Sequence, residues 1–417
     1  MPKFADNLLY GVGAQELTSD LNIPRMRKER NERLIKIMKK HNCSAMLVSG
    51  GDNVRYVAAT TAQSLPAGLS YALITVDGVI HVWDFPGDVD LVRESCDWIP
   101  QENIHVAHYW HGGAPGKACT EYNAKIYAQD MKEILAKAGL LGEKIAVAGV
   151  DGISIAALAE AGIETYSGHW IMQEARAVKT RDEQVCAKTV AAIADVGFWA
   201  IQEALKPGVR DIDVQAAAMA AMTKAGAVVT PNTIVVFSGP HGYPRGIPNT
   251  DRIIRPGDLV YVDIAGIKYM GYNSCIYRTY KVGCQPTAQE KSWMDRVLEK
   301  QNKAIEAIKP GNTSADVAAC FSPCDELGYP TELDCLSMDI CHGIGLISYE
   351  EPIINRLDSF NYPQELLPGM VIAVETIYGE KGVGGARLED MVIVTEDGCE
   401  IIDRTPRDHI LVTHSYD

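Results

Sequence analysis

The 417-residue chain is long enough for two domains, and its 47% hydrophobic and 22% charged residues are those of a globular protein. A net charge of −15 argues against a nucleic-acid or anionic-membrane surface. No apolar run approaches the roughly 18 residues of a membrane span, and MPKFADNLLYG has no signal-peptide pattern. With 11 cysteines and no CxxC pair, the expectation is a cytoplasmic protein whose thiols are mostly small buried hydrophobes.

Residues 24–40 read as a charged helix, and SAMLVSG (44–50), SYALITV (70–76), VIHVWDF (79–85) and KIAVAGV (144–150) as strands. This alternation predicts an α/β layer domain over residues 1–177. Inside it, HVAHYWHGGAPG (105–116) gathers His105, His108, Trp110 and His111. The segment is either an ordinary surface loop or a ligand-facing one, in which Trp110 and His108 would meet a cationic group by cation–π attraction. At ARAVKTRDEQ (175–184) the pattern changes to an Ala-rich helix running to about Leu205. This change places the start of a second domain, 178–417.

The second domain contains a weak internal repeat. KPGVRDIDVQAA (206–217) resembles KPGNTSADVAAC (309–320), and RPGDLVYVD (255–263) resembles LPGMVIAVE (367–375). Each Pro-Gly turn opens a strand expected to end on a carboxylate, Asp263 in one copy and Glu375 in the other. Two such units facing each other would bring both acids near a pseudo-twofold axis. A buried carboxylate is costly unless it is paired or binds a metal. Each strand returns with a second candidate, Cys275 after Asp263 and Glu389 after Glu375, and CHGIGL (341–346) sets His342 among glycines. Asp263, Cys275, His342, Glu375 and Glu389 together form a ligand set for one or two transition metals.

These residues resemble the pita-bread family of creatinase, aminopeptidase P, prolidase and methionine aminopeptidase. The resemblance rests on an acid at the end of a strand, GYxxxxxRT (271–279), HGIGL, the PGMxxxxE strand and LEDxVxVTExG (388–398). It implies a creatinase-like N-terminal α/β domain, an α+β pita-bread catalytic domain with pseudo-twofold symmetry, and a homodimer in which a partner's N-terminal loop lines the pocket. Matched one at a time, Asp263, His342, Glu375 and Glu389 fall on metal-ligand positions, and Cys275 falls where a bridging Asp is expected. A thiolate there favours softer ions. SGPHGYP (238–244) and LNIPRMRKERNERL look closest to the dimethylsulfoniopropionate lyase branch, although Ala265 replaces an acid of that branch. The base expected after HGxGL there falls on Ser348, followed by Tyr349.

The leading expectation is a hydrolase of a C–N bond in a small polar or zwitterionic molecule, assisted by Zn, Fe or Mn and distinct from a general peptidase. His342, Glu375, Glu389 and Tyr349 would be its catalytic groups, with His241 and Arg245 binding substrate beside Trp110 and His108. The alternatives are a β-eliminating lyase, a metal-free creatinase-like hydrolase and an Xaa-Pro peptidase. Arg278 is expected to order a ligand carboxylate, and Arg387 either to do the same or to grip a substrate carboxylate.

Overall fold

The computed structural model describes residues 21–60, 70–240 and 242–415. Ile23–Arg176 forms one compact unit, and Ala177–Asp417 forms the body of a second.

The first unit opens with helix α1 (Ile23–Lys40) and builds a six-stranded sheet. Its strands are β1 (Ala45–Ser49), β2 (Tyr71–Thr75), β3 (Ile80–Asp84), β4 (Ile104–Val106), β5 (Ile145–Ala148) and β6 (Thr165–Ser167), in the order β4-β3-β2-β1-β5-β6. Helices α2 (Gly51–Ala58), α3 (Val89–Ser95), α4 (Lys117–Lys137), α5 (Gly152–Glu160) and α6 (His169–Ala177) accompany it. β5 is an unbroken apolar run, and β1 is one as far as Ser49, because these residues are buried on both faces. An aromatic cluster anchors the core: Tyr71 stacks on Trp83 and meets Tyr127 edge-on, both at 5.1 Å.

The second unit begins with α7 (Arg181–Ala204), whose start is fixed by a capping box between Thr180 and Glu183. α7 is long and apolar enough to cross a membrane, which the sequence reading did not expect, yet 61% of its most apolar window is buried. Within this unit it packs on α8 (Asp211–Lys224), and its apolarity is that of a core helix. Next come β7 (Ile234–Ser238), β8 (Leu259–Ile264), a short ribbon of β9 (Lys268–Tyr269) and β10 (Tyr272–Asn273), and β11 (Tyr277–Val282). After α9 (Ala288–Ala307) and α10 (Ser314–Ala318) follow β12 (Ile340–Gly343), β13 (Glu350–Ile354), β14 (Val371–Glu380), β15 (Gly384–Val394), β16 (Cys399–Ile401) and β17 (Leu411–Thr413). The strands form two sheets, β17-β11-β8-β7 and β13-β12-β14-β15-β16.

The repeat is visible but unequal. The helix after the first Lys-Pro-Gly turn has 14 residues, and its counterpart has five before the chain turns off ahead of Pro323. Asp263 is the penultimate residue of β8, whereas Glu375 lies in the middle of β14. β14 continues past its acid because it pairs with β15 along ten residues, from Val371↔Ile393 to Glu380↔Gly384. The two sheets are tied at β11 and β15, where the Thr279 hydroxyl donates to the Arg387 carbonyl (2.8 Å) and accepts from its N–H (2.9 Å). That seam carries the acidic ends of both repeats to one place.

Candidate metal centre

Asp263 enters from β8, where all six residues are buried and Asp263 stands opposite Tyr277 on β11 and Val235 on β7. The chain then makes its short ribbon and returns through Ser274 and Cys275. The return is fixed by Ser274 Oγ donating to the Ile264 carbonyl (2.9 Å) and by the Ile264 N–H donating to the Ile276 carbonyl (3.0 Å). Cys275 is thereby held just ahead of β11 and is buried.

The second sheet supplies the rest. Glu375 and Glu389 are direct cross-strand neighbours, and Ile340 pairs with Glu375, so His342, two residues on, shares their face. Two carboxylates directly opposite each other repel unless a cation lies between or beside them. His342 Nε2 is 3.7 Å from Glu389 Oε1, too far for a hydrogen bond. Cys275, His342 and Glu389 each offer a ligand atom within 4.8 Å of the other two, and all three residues are buried.

This donor set fits a divalent transition metal. His342 Nε2, both Glu389 carboxylate oxygens and Asp263 Oδ1 are buried with no hydrogen-bond partner among the described residues. A buried carboxylate left so costs several kcal/mol unless a cation meets it. Sulfur, imidazole nitrogen and carboxylate oxygen are all transition-metal ligands, and the three atoms are near enough to share one ion. Electrostatics point the same way. Burial, reinforced by Glu389, raises Asp263 well above the usual carboxylate range. Burial and the same acids push the Cys275 thiol up, and burial with the Glu375 charge raises Glu389. Burial would lower His342, but Glu389 and Glu375 outweigh it and the net shift is upward. The metal-free site therefore holds on to protons that a dication would displace.

The two arginines do different work from each other. Arg387 pairs with the carboxylate of Glu375 (Nη2 to Oε2, 2.6 Å), and its guanidinium lies 3.8 Å over the Tyr277 ring. Arg278 holds the backbone of Glu389 instead of a ligand carboxylate, donating to the Glu389 carbonyl at 2.6 Å. Its other nitrogen reaches Asp403 (2.6 Å) and Asp390 (3.1 Å). Charge neutralisation at Glu375 and backbone placement at Glu389 are thus divided between two residues.

At the edge of the site the ring of Tyr349 stacks on His342, with centroids 4.3 Å apart and planes 26° apart, while the residue stays 52% exposed. Burial and the charges of Glu375, Cys275 and Glu389 raise its hydroxyl above the usual tyrosine value, so it stays protonated. Arg245 is exposed and close enough to oppose that shift. Glu350, the next residue, faces away into an ion pair with Lys179. His241 lies outside the described residues.

Trp110 and His108 belong to the first unit. Trp110 is only 1% exposed, donates from Nε1 to Asp151 (2.8 Å) and meets Tyr127 edge-on. That placement removes it from the ligand-facing loop surface expected of it, because its ring is the lid of an aromatic core. His108 is half-buried, 3.8 Å from Asp130. The sequence reading missed Lys179, Asn273 and Tyr277. Asn273 and Tyr277 flank Cys275 two residues away on either side, which was the one available signal.

Comparison with known proteins agrees with the geometry. Residues 185–396, about half of the chain, match metallopeptidase family M24, and the chain belongs to that family. It has the pita-bread type of fold with prolidase-like architecture. The probable dipeptidase PepE of Mycobacterium tuberculosis is 37% identical over 179 residues, 43% of this chain and 46% of the relative, so the match spans under half of that protein's length. The Xaa-Pro dipeptidase structure from Bacillus anthracis is similar at a TM-score of 0.73 and 26% identity, covering 93% of this chain and 99% of the other. Dimethylsulfoniopropionate lyase DddP of Roseovarius nubinhibens is 26% identical over 436 residues, covering 98% of this chain and 94% of the relative.

Proposed function

We propose that the chain is a metal-dependent dipeptidase whose ligand set includes the Cys275 thiolate. The reading is carried by the three buried donors of Cys275, His342 and Glu389 within 4.8 Å of one another, next to the opposed Glu375. The likeness to dipeptidases favours a peptide C–N bond over the non-peptide substrate first expected from the sequence. Asp263 completes the set from the facing sheet. Sulfur in the set favours Zn²⁺ or Fe²⁺ over Mn²⁺.

A bound ion of this kind supplies Lewis acidity and brings the pKa of water to about 7. Glu375 is tethered by Arg387 at one oxygen only, and the other takes a proton from water and returns it to the leaving nitrogen. Tyr349, kept protonated, donates a hydrogen bond toward the substrate carbonyl oxygen. Arg245 offers its fork to the substrate carboxylate.

The test is a panel of dipeptides, Xaa-Pro members included, with protein loaded in turn with Zn²⁺, Fe²⁺ and Mn²⁺. Cleavage of some dipeptides with Zn²⁺ or Fe²⁺ supports the reading, and no cleavage under any loading contradicts it. The full-length likeness to DddP makes a β-elimination the second reading, so dimethylsulfoniopropionate belongs in the same panel. Acrylate release without dipeptide cleavage would select the lyase.

A further inference from the structure

Segment 344–350 carries Tyr349 to the metal centre, and it is fixed by residues that none of the chemistry above uses. Lys179 Nζ and Glu350 Oε2 form an ion pair at 2.8 Å, with each side chain 1% exposed. The other oxygen of Glu350 accepts the N–H of Ile347 at 3.1 Å, which closes the turn on itself. Glu350 packs so tightly under the turn that a Cβ at Gly345 would collide with its carboxylate. From the far side, the Asn273 amide donates to the carbonyls of Gly345 (2.9 Å) and Leu346 (2.8 Å).

Lys179 is itself mounted rigidly. Its N–H donates to the Gly369 carbonyl (2.9 Å), its ammonium donates to the Ala177 carbonyl (3.2 Å), and its carbonyl accepts from Gln184 (3.1 Å). A buried ion pair is weak support for stability, because desolvation consumes most of its Coulomb gain. Its best-attested use is to fix register. Here it fixes the residue next to Tyr349, whose ring lies flat on the ligand His342.

We propose that the Lys179–Glu350 pair is a positioning device: it sets the height and tilt of the Tyr349 ring on His342, and so the place where the Tyr349 hydroxyl meets substrate. The inference rests on the catalytic reading of Tyr349 given above. An apolar replacement of the whole pair, Lys179→Met with Glu350→Met, removes the charge register while keeping volume, and such replacements are often neutral for folding. Crystal structures and steady-state kinetics of wild type and this double variant form the test, each also made in a Tyr349→Ala background.

The double variant is expected to retain its metal, to lose the 4.3 Å stack, and to fall about tenfold in kcat with KM nearly unchanged, within the coupling range of interacting residues. In the Tyr349→Ala background it is expected to cost nothing further. An intact stack in the double variant, or an equal loss in both backgrounds, overturns the proposal. Should the double variant not fold, Lys179→Arg tests the same point, since a longer cation in the same pair must move the ring. A wild-type protein that cleaves no dipeptide overturns the functional reading instead, and the position of the ring in the variant crystals still decides the positioning role.

Discussion

Among the described residues, a cluster of ligand-type side chains in the first unit and another in the second differ in what their polar atoms do. In the first unit, His81 and His105 stack and hydrogen-bond to each other at 3.1 Å, with His105 also lying on Trp83. Trp110 spends its only donor on Asp151. In the second unit, His342, Glu389 and Asp263 are more deeply buried, yet Nε2 and three carboxylate oxygens have no hydrogen-bond partner among the described residues. His105 and Trp110 of the histidine-rich segment find partners in the surrounding fold, while the acidic centre is incomplete without a cation. The comparison teaches that proximity of ligand residues is a weak signal, and that unpaired buried donors of one charge sign are a strong one.

The contrast can be broken most severely at Glu375. Glu375→Gln keeps the shape of the site and removes the proton carrier, so kcat should fall by about 10²–10⁴-fold with metal still bound. A metal-loaded variant with wild-type turnover would show that another group moves the proton. Arg387→Met leaves Glu375 buried beside Glu389 without its counter-charge. The expected loss is about 3–5 kcal/mol of stability, read by denaturant unfolding. Unchanged stability would mean that the Arg387 pair does not neutralise that carboxylate.

The first unit should answer to pH in the opposite manner from an acidic centre. Burial, with the nearby His105 and Lys137, lowers His81 from the ordinary histidine value to about 4. The unfolded chain therefore binds the proton more readily than the folded one. The contribution of His81 to stability is complete above about pH 6.5 and is lost as pH falls toward 4. Thermal unfolding of wild type and His81→Asn should diverge above pH 6.5 and converge on acidification; parallel pH profiles would contradict the assignment. The smallest effect is expected from Trp110→Phe, which deletes the bond to Asp151 and should cost about 1 kcal/mol. A variant as stable as wild type would place that ring outside the core.

Much of this was legible in the sequence, for identifiable reasons. β1, β2, β3 and β5 were expected within a residue or two of their observed ends, because short runs rich in apolar and β-branched residues and bounded by turn residues mark strands. Asp263 and Glu375 stood out because the repeat placed an acid twice at the same step of a buried strand. Cross-strand relations were not legible. The pairing of Arg387 with Glu375 depends on the register of a ten-residue ladder, and that of Lys179 with Glu350 joins residues 171 positions apart. The length of β14 beyond Glu375 depended on the same ladder. Trp110 was misplaced because an aromatic among histidines looks alike on a loop surface and over a core.

The central claim, that Cys275 completes a divalent-metal site, is tested most directly by elemental analysis of protein purified without an affinity tag, wild type beside Cys275→Ser. The account predicts stoichiometric zinc or iron in the wild type and its loss, or a fall in affinity of at least about tenfold, in the variant. Equal metal content in the two proteins would contradict the thiolate ligand, and metal-free protein in both after exposure to zinc and ferrous iron would contradict the site itself.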